Sequence, residues 1–279
     1  MNSISTPLVS LSPDQVDMER RFGGIGRLYG AAALARFGAA HICVIGVGGV
    51  GSWIVEALAR SAIGELTLID LDNVAESNIN RQLQALSGTI GQAKIDALAE
   101  RIGQINPRCK VHLVEDFITP ENLDQLLVAQ YDFVIDAIDS VKAKAALLAF
   151  CKQRGLPVIT IGSAGGQTDP TRIEVRDLTK TEQEPLLKMV RKRMRSQYNF
   201  PRSIKTKFFI DAVFSMEPVA MPEAAEGADS CAIDAVTGLN CAGFGSSMVV
   251  TATFGMFAAG HVLRKLADAA VQTPAAALS

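Results

Sequence analysis

Short apolar runs alternating with helix-length segments organise the chain. His41-Ile42-Cys43-Val44-Ile45 is apolar without interruption, as a strand covered on both faces requires. A glycine-rich turn and a helix from about Ser52 to Ser61 follow, then a strand over Leu66–Asp70. Gly91–Ile105 reads as a helix stopped by Asn106-Pro107. Val111–Val114 and Phe133–Ala137 are strands, Val141–Arg154 is a helix ending at Gly155, and Pro157–Ile161 is a further strand. Upstream, Ser12-Pro13-Asp14-Gln15 combines a capping serine, a first-turn proline and a glutamine three residues past the cap, which predicts a short helix towards Arg21. This alternation predicts an α/β fold, a doubly wound, mostly parallel Rossmann-like sheet. After Gly162 the pattern changes. Ser163–Gln167 is turn-rich, and Arg172–Arg176 alternates with period two, an antiparallel extension of the sheet. Residues 180–240 are weakly periodic and are expected to form an excursion with flexible loops, not a second core. An apolar C-terminal helix is expected over 242–268. Residues 1–279 thus read as one domain.

Composition agrees: of 279 residues, 48% are apolar and 20% charged, enough for a large core. The net charge of −2 conceals an asymmetry. Residues 188–207 hold eight Lys/Arg and no Asp/Glu, which leaves a net of −10 on the remainder. Tyr198 and Phe200 lie among these cations. Lysines and arginines supply phosphate contacts and aromatics stack on bases, so Arg191, Lys192, Arg193 and Arg195 are candidate nucleic-acid ligands. The five cysteines form no Cys-x-x-Cys pair, so no zinc site is expected and the usage fits a reducing cytosol. The first twenty residues have neither a basic head nor a long apolar stretch, and a cytoplasmic location is expected. Ala242–Leu263 carries no charged side chain and is about long enough to span a bilayer. Its glycines Gly243, Gly245, Gly255 and Gly260 make a close-packing surface. A helix buried in the core or at a dimer interface is therefore expected, with membrane association as the alternative.

Gly46, Gly48 and Gly51 form Gly-x-Gly-x-x-Gly after a strand and before a helix, where glycines let a phosphate approach the backbone and the helix N-terminus. Asp70, at the end of the next strand, is placed to accept ribose hydroxyls. Alone this pattern fits a nicotinamide or flavin dinucleotide. It is not a Walker A loop, because Ser52-Trp53 stand where Lys-Ser/Thr is required. Further on come Glu76-Ser77-Asn78-Ile79-Asn80-Arg81-Gln82, Lys94 and Asp136-Ala137-Ile138-Asp139-Ser140. Arg81 and Lys94 suit a triphosphate, and Asp139 suits Mg²⁺, unless it caps the following helix.

At these residues the chain resembles the superfamily of ubiquitin-activating enzymes and the bacterial ThiF, MoeB and HesA proteins, from about Arg21 to Val175. The resemblance implies ATP binding and adenylation of a carboxylate. It implies a nucleotide site of Gly46, Gly48, Gly49, Gly51, Asp70, Asp72, Asn78, Arg81, Lys94, Asp139 and Ser140. Gly49 would lie against the nucleotide, Asn78, Arg81 and Lys94 would handle phosphates, and Asp139 would hold the metal. Arg81, Lys94 and Asp139 would serve the chemistry. In this superfamily an N-terminal arginine reaches into the partner subunit of a homodimer; here Arg27 is the candidate. Arg21-Phe22-Gly23-Gly24, Gly165–Thr171, Asn240–Gly245 and Met248–Gly255 resemble one branch, the tRNA threonylcarbamoyladenosine dehydratases. That likeness extends over nearly the whole chain and implies ATP-dependent cyclisation of threonylcarbamoyladenosine beside the anticodon. A sulfur-transfer or cysteine-desulfurase-type protein is a further partner it admits.

The implied chemistry needs no protein nucleophile. An adenylated carboxylate is open to attack by the tethered carbamoyl group of the same side chain, while Arg81 and Lys94 stabilise charge. Cys231 and Cys241 remain candidate nucleophiles, although no histidine lies near either in sequence. An adenylating enzyme for a ubiquitin-like sulfur carrier is the alternative. A nucleotide-binding scaffold without chemistry and a plain dehydrogenase are the other classes.

Overall fold

The structure, a computed structural model, describes residues 16–128, 130–220 and 244–272. In chain order the elements are α1 (Met18–Tyr29), α2 (Ala31–Ala39), β1 (His41–Ile45), α3 (Gly51–Arg60), β2 (Glu65–Ile69) and α4 (Lys94–Ile105). Then come β3 (Lys110–Val114), α5 (Leu123–Leu126), β4 (Phe133–Asp136), α6 (Val141–Arg154), β5 (Val158–Ile161) and β6 (Ile173–Asp177). The last are α7 (Pro185–Gln197), β7 (Asp211–Ser215) and α8 (Met248–Gln272).

Among the described residues seven strands form one sheet in the order β3-β2-β1-β4-β5-β7-β6. All neighbours are parallel except β6 and β7. The central strands are largely apolar because both faces are covered, with Thr67, Asp136 and Thr160 as buried exceptions. Ile42 and Val44 of β1 enter a core with α2, α3, α4 and α8, whereas Cys43 and Ile45 face the core built on α6. The strand order reverses between β1 and β4, which opens a crevice at their carboxyl ends, where ligands of such sheets bind.

Three regions differ from the sequence reading. The expected helix start at Ser12 lies outside the described residues; α1 begins at Met18, capped by Asp17, which accepts from the Arg20 backbone N–H at 3.0 Å. It runs beyond Arg21 to Tyr29, and Gly30, at φ 94°, separates it from an unforeseen α2. Helix α4 starts at Lys94 and not Gly91, because residues 91–93 pair back on 73–74: Gly91 donates to the Val74 carbonyl at 2.8 Å, and Asn73 bridges Ala93. The weak periodicity of 180–240 conceals a helix and a strand. Leu187, Val190 and Met194 keep helical spacing between the lysines and arginines of α7. With Phe208, Ile210 and Phe214 they build a third apolar cluster on α6, and β7 is inserted in the sheet beside β5.

Helix α8 settles the question raised by the apolar C-terminal segment, whose residues 242 and 243 lie outside the described residues. Val250, Phe254, Ala258, Val262 and Leu266 are buried in the main core. A Cβ on Gly255 would stand 2.9 Å from both the Trp53 Cβ and the Val50 carbonyl, so glycine permits the close approach to α3. Among the described residues no helix is long and apolar enough to cross a membrane, which removes the membrane-spanning alternative for α8.

Candidate active site

The glycine turn after β1 is held from below. Gly46 takes φ 81° and its N–H donates to the Ile69 carbonyl at 2.9 Å. The Val47 N–H donates to Asp70 Oδ2 at 2.7 Å, while Asp70 Oδ1 accepts from the Asp72 N–H at 2.9 Å. Asp70 thus braces the loop as well as facing the cavity. Gly51 has a different task. A Cβ there would lie 1.9 Å from the Gly46 carbonyl oxygen, so glycine is what lets the first turn of α3 close onto the loop. Gly51→Ala is expected to cost ~3 kcal/mol or more and to abolish nucleotide binding, because the clash is with main chain that cannot rotate away. Thermal unfolding and ATP titration check this; a variant with wild-type affinity would remove that role.

One cavity of about 590 Å³ lies at the carboxyl ends of β1, β2 and β4. It is lined by Gly46, Gly48, Gly49, Asp70, Asp72, Asn78, Arg81, Lys94, Asp139 and Ser140, a set drawn from residues far apart in sequence. Gly51 lies under the loop and is not part of the lining. Lys94, only 6% exposed, points its Nζ at Asp72 Oδ2 (2.6 Å) and stands 4.0 Å from Asp70 Oδ1. Arg81 packs its stem over Gly49, where a Cβ would meet the Arg81 Cγ at 3.3 Å. Its Nη1 donates to the Ser77 carbonyl (2.8 Å) and to Asn80 Oδ1 (3.0 Å), and Trp53 Nε1 fixes the Arg81 carbonyl at 2.9 Å. Asn78 Oδ1 accepts from the Ala75 N–H at 3.0 Å. The helix cap before α6 is Ser140, whose Oγ accepts from Ala143 N at 3.5 Å. Asp139 is therefore not the cap; it is exposed and makes no hydrogen bond or ion pair among the described residues.

Sequence reasoning missed much of the wall. Phe117 and Ile118 from the β3–α5 loop, Gly162 and Ser163 after β5, Leu186 of α7 and Thr251 of α8 all line the cavity. Apart from Thr251, which lies in the Met248–Gly255 stretch, none carries a motif signal, and each arrives through the tertiary fold. It also missed the buried group beneath. Lys144 Nζ, fully buried, bonds Asp136 Oδ2 at 2.8 Å and Thr160 Oγ1 at 3.2 Å. Glu184 caps α7, accepting from the Leu187 N–H, and its Oε1 takes the Ser163 N–H at 2.8 Å. Burial pushes its carboxyl above the usual carboxylate range. A Cβ on Gly162 would stand 2.9 Å from the Glu184 Cδ, so this glycine admits the tie between α7 and the cavity wall.

The basic residues of α7 lie away from that cavity. Lys188, Arg191, Lys192, Arg195 and Arg202 line a separate hollow of about 670 Å³. Arg191 is partly buried there and bonds Thr181 Oγ1; burial lowers its pKa. Arg193 donates to Gln197 Oε1 at 2.8 Å, and Arg195 to the Pro201 carbonyl at 3.2 Å. The two aromatics expected to stack on bases are partly buried by packing. Phe200 meets Phe208 edge-on at 4.8 Å, and Tyr198 packs against the clusters on α6. Arg21 caps the end of α4, its Nη1 donating to the Gln104 and Ile105 carbonyls. Arg27 is exposed on α1 and does not line the cavity. Cys231 and Cys241 lie outside the described residues. Of the described cysteines, burial pushes Cys109 and Cys151 up to about 12, which leaves them poor nucleophiles.

The ThiF family profile matches residues 24–277. A tRNA threonylcarbamoyladenosine dehydratase of Haemophilus influenzae is 57% identical over 249 residues, covering 89% of this chain and 94% of that protein. The crystal structure of the Escherichia coli tRNA N6-threonylcarbamoyladenosine dehydratase in complex with ATP has a TM-score of 0.82 at 47% identity, covering 91% of this chain and 97% of that one. Its complex with AMP matches at 0.81 and 48%, covering 91% and 96%.

Proposed function

The chain belongs to the ThiF family, and from that membership we propose that it catalyses the ATP-dependent dehydration of threonylcarbamoyladenosine at position 37 of tRNA. The observation that carries the reading is the single cavity in which the glycine loop, Asp70, Arg81 and Lys94 meet. The threonyl carboxylate oxygen attacks the α-phosphorus of ATP and pyrophosphate leaves. The carbamoyl group of the same side chain then attacks the activated carbonyl, and AMP departs with the former carboxylate oxygen while the attacking group loses a proton. One water's worth of atoms is thereby removed from the nucleoside. Tethering supplies the effective concentration that a bimolecular attack lacks.

Each residue has a task in this proposal. Gly46, Gly48 and Gly49 bring backbone close to the nucleotide, and Asp70 orients the ribose. Lys94, Arg81 and Asn78 hold phosphates, Asp72 positions Lys94, and Ser140 borders the nucleotide. Asp139 fits Mg²⁺, which takes one or two protein carboxylates beside phosphate oxygens and water. Such an ion would neutralise charge on the triphosphate. Arg27 would complete the site of a partner subunit in a homodimer, a state supported by the exposed apolar Val249, Met256 and Phe257 on α8. A sulfur-transfer or cysteine-desulfurase-type protein is a further proposed partner, and the proposed location is cytoplasmic.

The deciding experiment incubates the protein with ATP and threonylcarbamoylated tRNA and looks by mass for loss of water from the nucleoside. No mass change, with pyrophosphate exchange driven by a protein ending in Gly-Gly, would favour the sulfur-carrier alternative. Asp139→Asn is expected to lower turnover by about a hundredfold without restoration by modest added magnesium; normal turnover would remove the metal role. Lys188, Lys192 and Arg202 hold no side-chain partner among the described residues. Neutralising all three is expected to weaken tRNA binding and flatten its salt dependence by about 0.7 to 0.9 in log–log slope for each phosphate deprived of its cation. Unchanged slope and affinity would make the basic face of α7 a solvated surface.

A further inference from the structure

A second hollow, of about 580 Å³, lies between the end of α6 and the segment joining α7 to β7. Phe209, Tyr198, Lys152, Gln153 and Lys207 are among its walls, and among the described residues no carboxylate lines it. Phe209 is 74% exposed, yet its backbone is held at φ 56°, a region that disfavours a bulky side chain. Asp177 enforces this conformation. Its Oδ2 accepts from the Phe209 N–H at 2.8 Å, and its Oδ1 accepts from Phe208 N at 3.3 Å and Thr179 N at 2.9 Å. An aromatic ring is thus presented to solvent by a strained and over-determined turn, which internal packing does not require. Lys152 Nζ lies over one face of the ring, 5.2 Å from its centre, which leaves the other face for a ligand. On the other flank of the same segment, Arg195 reaches Pro201 and places its guanidinium 5.3 Å from the centre of Phe208, at the edge of the hollow lined by Lys188, Lys192 and Arg202.

We propose that this hollow binds one unstacked nucleobase of the tRNA substrate, stacked on Phe209, with the adjoining phosphates on Lys152 and Lys207. The inference rests on the tRNA-modifying function above. An exposed ring with Lys152 over one face and Lys207 in the same wall, and no carboxylate among the described lining residues, fits a base on its other face together with its backbone; RNA loops offer unpaired bases that proteins take up by stacking. The ring belongs to Phe209, outside the run of cations, and not to Tyr198 or Phe200 within it.

The test measures tRNA binding and threonylcarbamoyl-tRNA turnover for the wild type, Phe209→Gly and Phe209→Trp. Glycine suits the left-handed backbone, so the first variant removes the ring without adding strain. It is expected to bind tRNA about tenfold more weakly, with ATP affinity and thermal unfolding unchanged, whereas tryptophan retains wild-type binding. Substrate RNAs carrying one abasic site at a time in the loop supply the second measurement. The abasic site at the docked nucleotide should weaken wild-type binding and cost Phe209→Gly nothing further. Equal tRNA affinity of Phe209→Gly and a wild type that turns over its substrate overturns the pocket alone. Weakened binding that is additive with every abasic site shows that Phe209 acts through the fold, or on a peptide or other ligand, and also overturns it. A wild type that neither binds nor dehydrates modified tRNA overturns the functional reading together with the pocket.

Discussion

Lys94→Ala and Arg81→Ala are each expected to slow adenylation by more than about a hundredfold, a loss of ~3 kcal/mol or more of transition-state stabilisation, while the protein remains folded. The site itself explains why the two effects separate. Removing the Lys94 ammonium leaves Asp72, whose side chain is 52% exposed, to be solvated by water. Asp70 keeps both of its backbone donors, Val47 and Asp72. Arg81 spends its side chain on its own loop and on Gly49, so truncation leaves the core intact. Pyrophosphate release at saturating ATP and modified tRNA reads the chemistry, and circular dichroism reads the fold. Either variant turning over at the wild-type rate would show that its cation does not face the phosphates.

The largest effect on stability is expected one layer down. Lys144→Met should destabilise the protein by about 3–5 kcal/mol, because it strands the Asp136 carboxylate at zero exposure. The remaining donors to that side chain are Thr160 Oγ1 at 2.7 Å and the Ile138 N–H at 3.1 Å. At about 2–4 °C per kcal/mol the melting temperature should fall by roughly 10 °C. Adding Asp136→Asn should recover part of the loss, since it removes the uncompensated charge. A single variant that melts with the wild type would mean that the ion pair contributes nothing net. The same pair stands where β4 leads into Ala137, Ile138 and Asp139 of the cavity wall. The single variant should therefore also weaken ATP binding, as isothermal titration would read.

Much of the fold was legible from local patterns. A strand covered on both faces is largely apolar, so β1, β2 and β4 announce themselves. A glycine turn followed by a helix has few local solutions. The cavity-lining candidates were legible for the same reason: Gly46, Gly48, Asp70, Lys94 and Asp139 sit at strand ends, helix starts or the loops between them that the alternation places at one edge of the sheet, and Arg81 joins them from the turn after Asn78. Strand β7 was hidden because it is short, begins with Asp211 and follows a helix rich in cations, yet it completes the sheet by pairing with β5 and β6.

The sequence by itself determined the alternation of strands and helices from β1 to β5, the glycine turn after β1 and the charges around it, because backbone conformation and amphipathic period are local properties of the chain. Only the tertiary structure decided which charges are buried, which aromatics are free and what closes the cavity. A lysine on a helix is ordinarily solvated, and nothing within α6 distinguishes Lys144 from Lys142 until β4 and β5 bring Asp136 and Thr160 to it. An aromatic among cations suggests stacking, but whether it is Phe200 or Phe209 that faces water depends on how Phe208 packs and where Asp177 binds. These outcomes are set by desolvation and by packing between segments distant in sequence, energies that only the folded arrangement supplies.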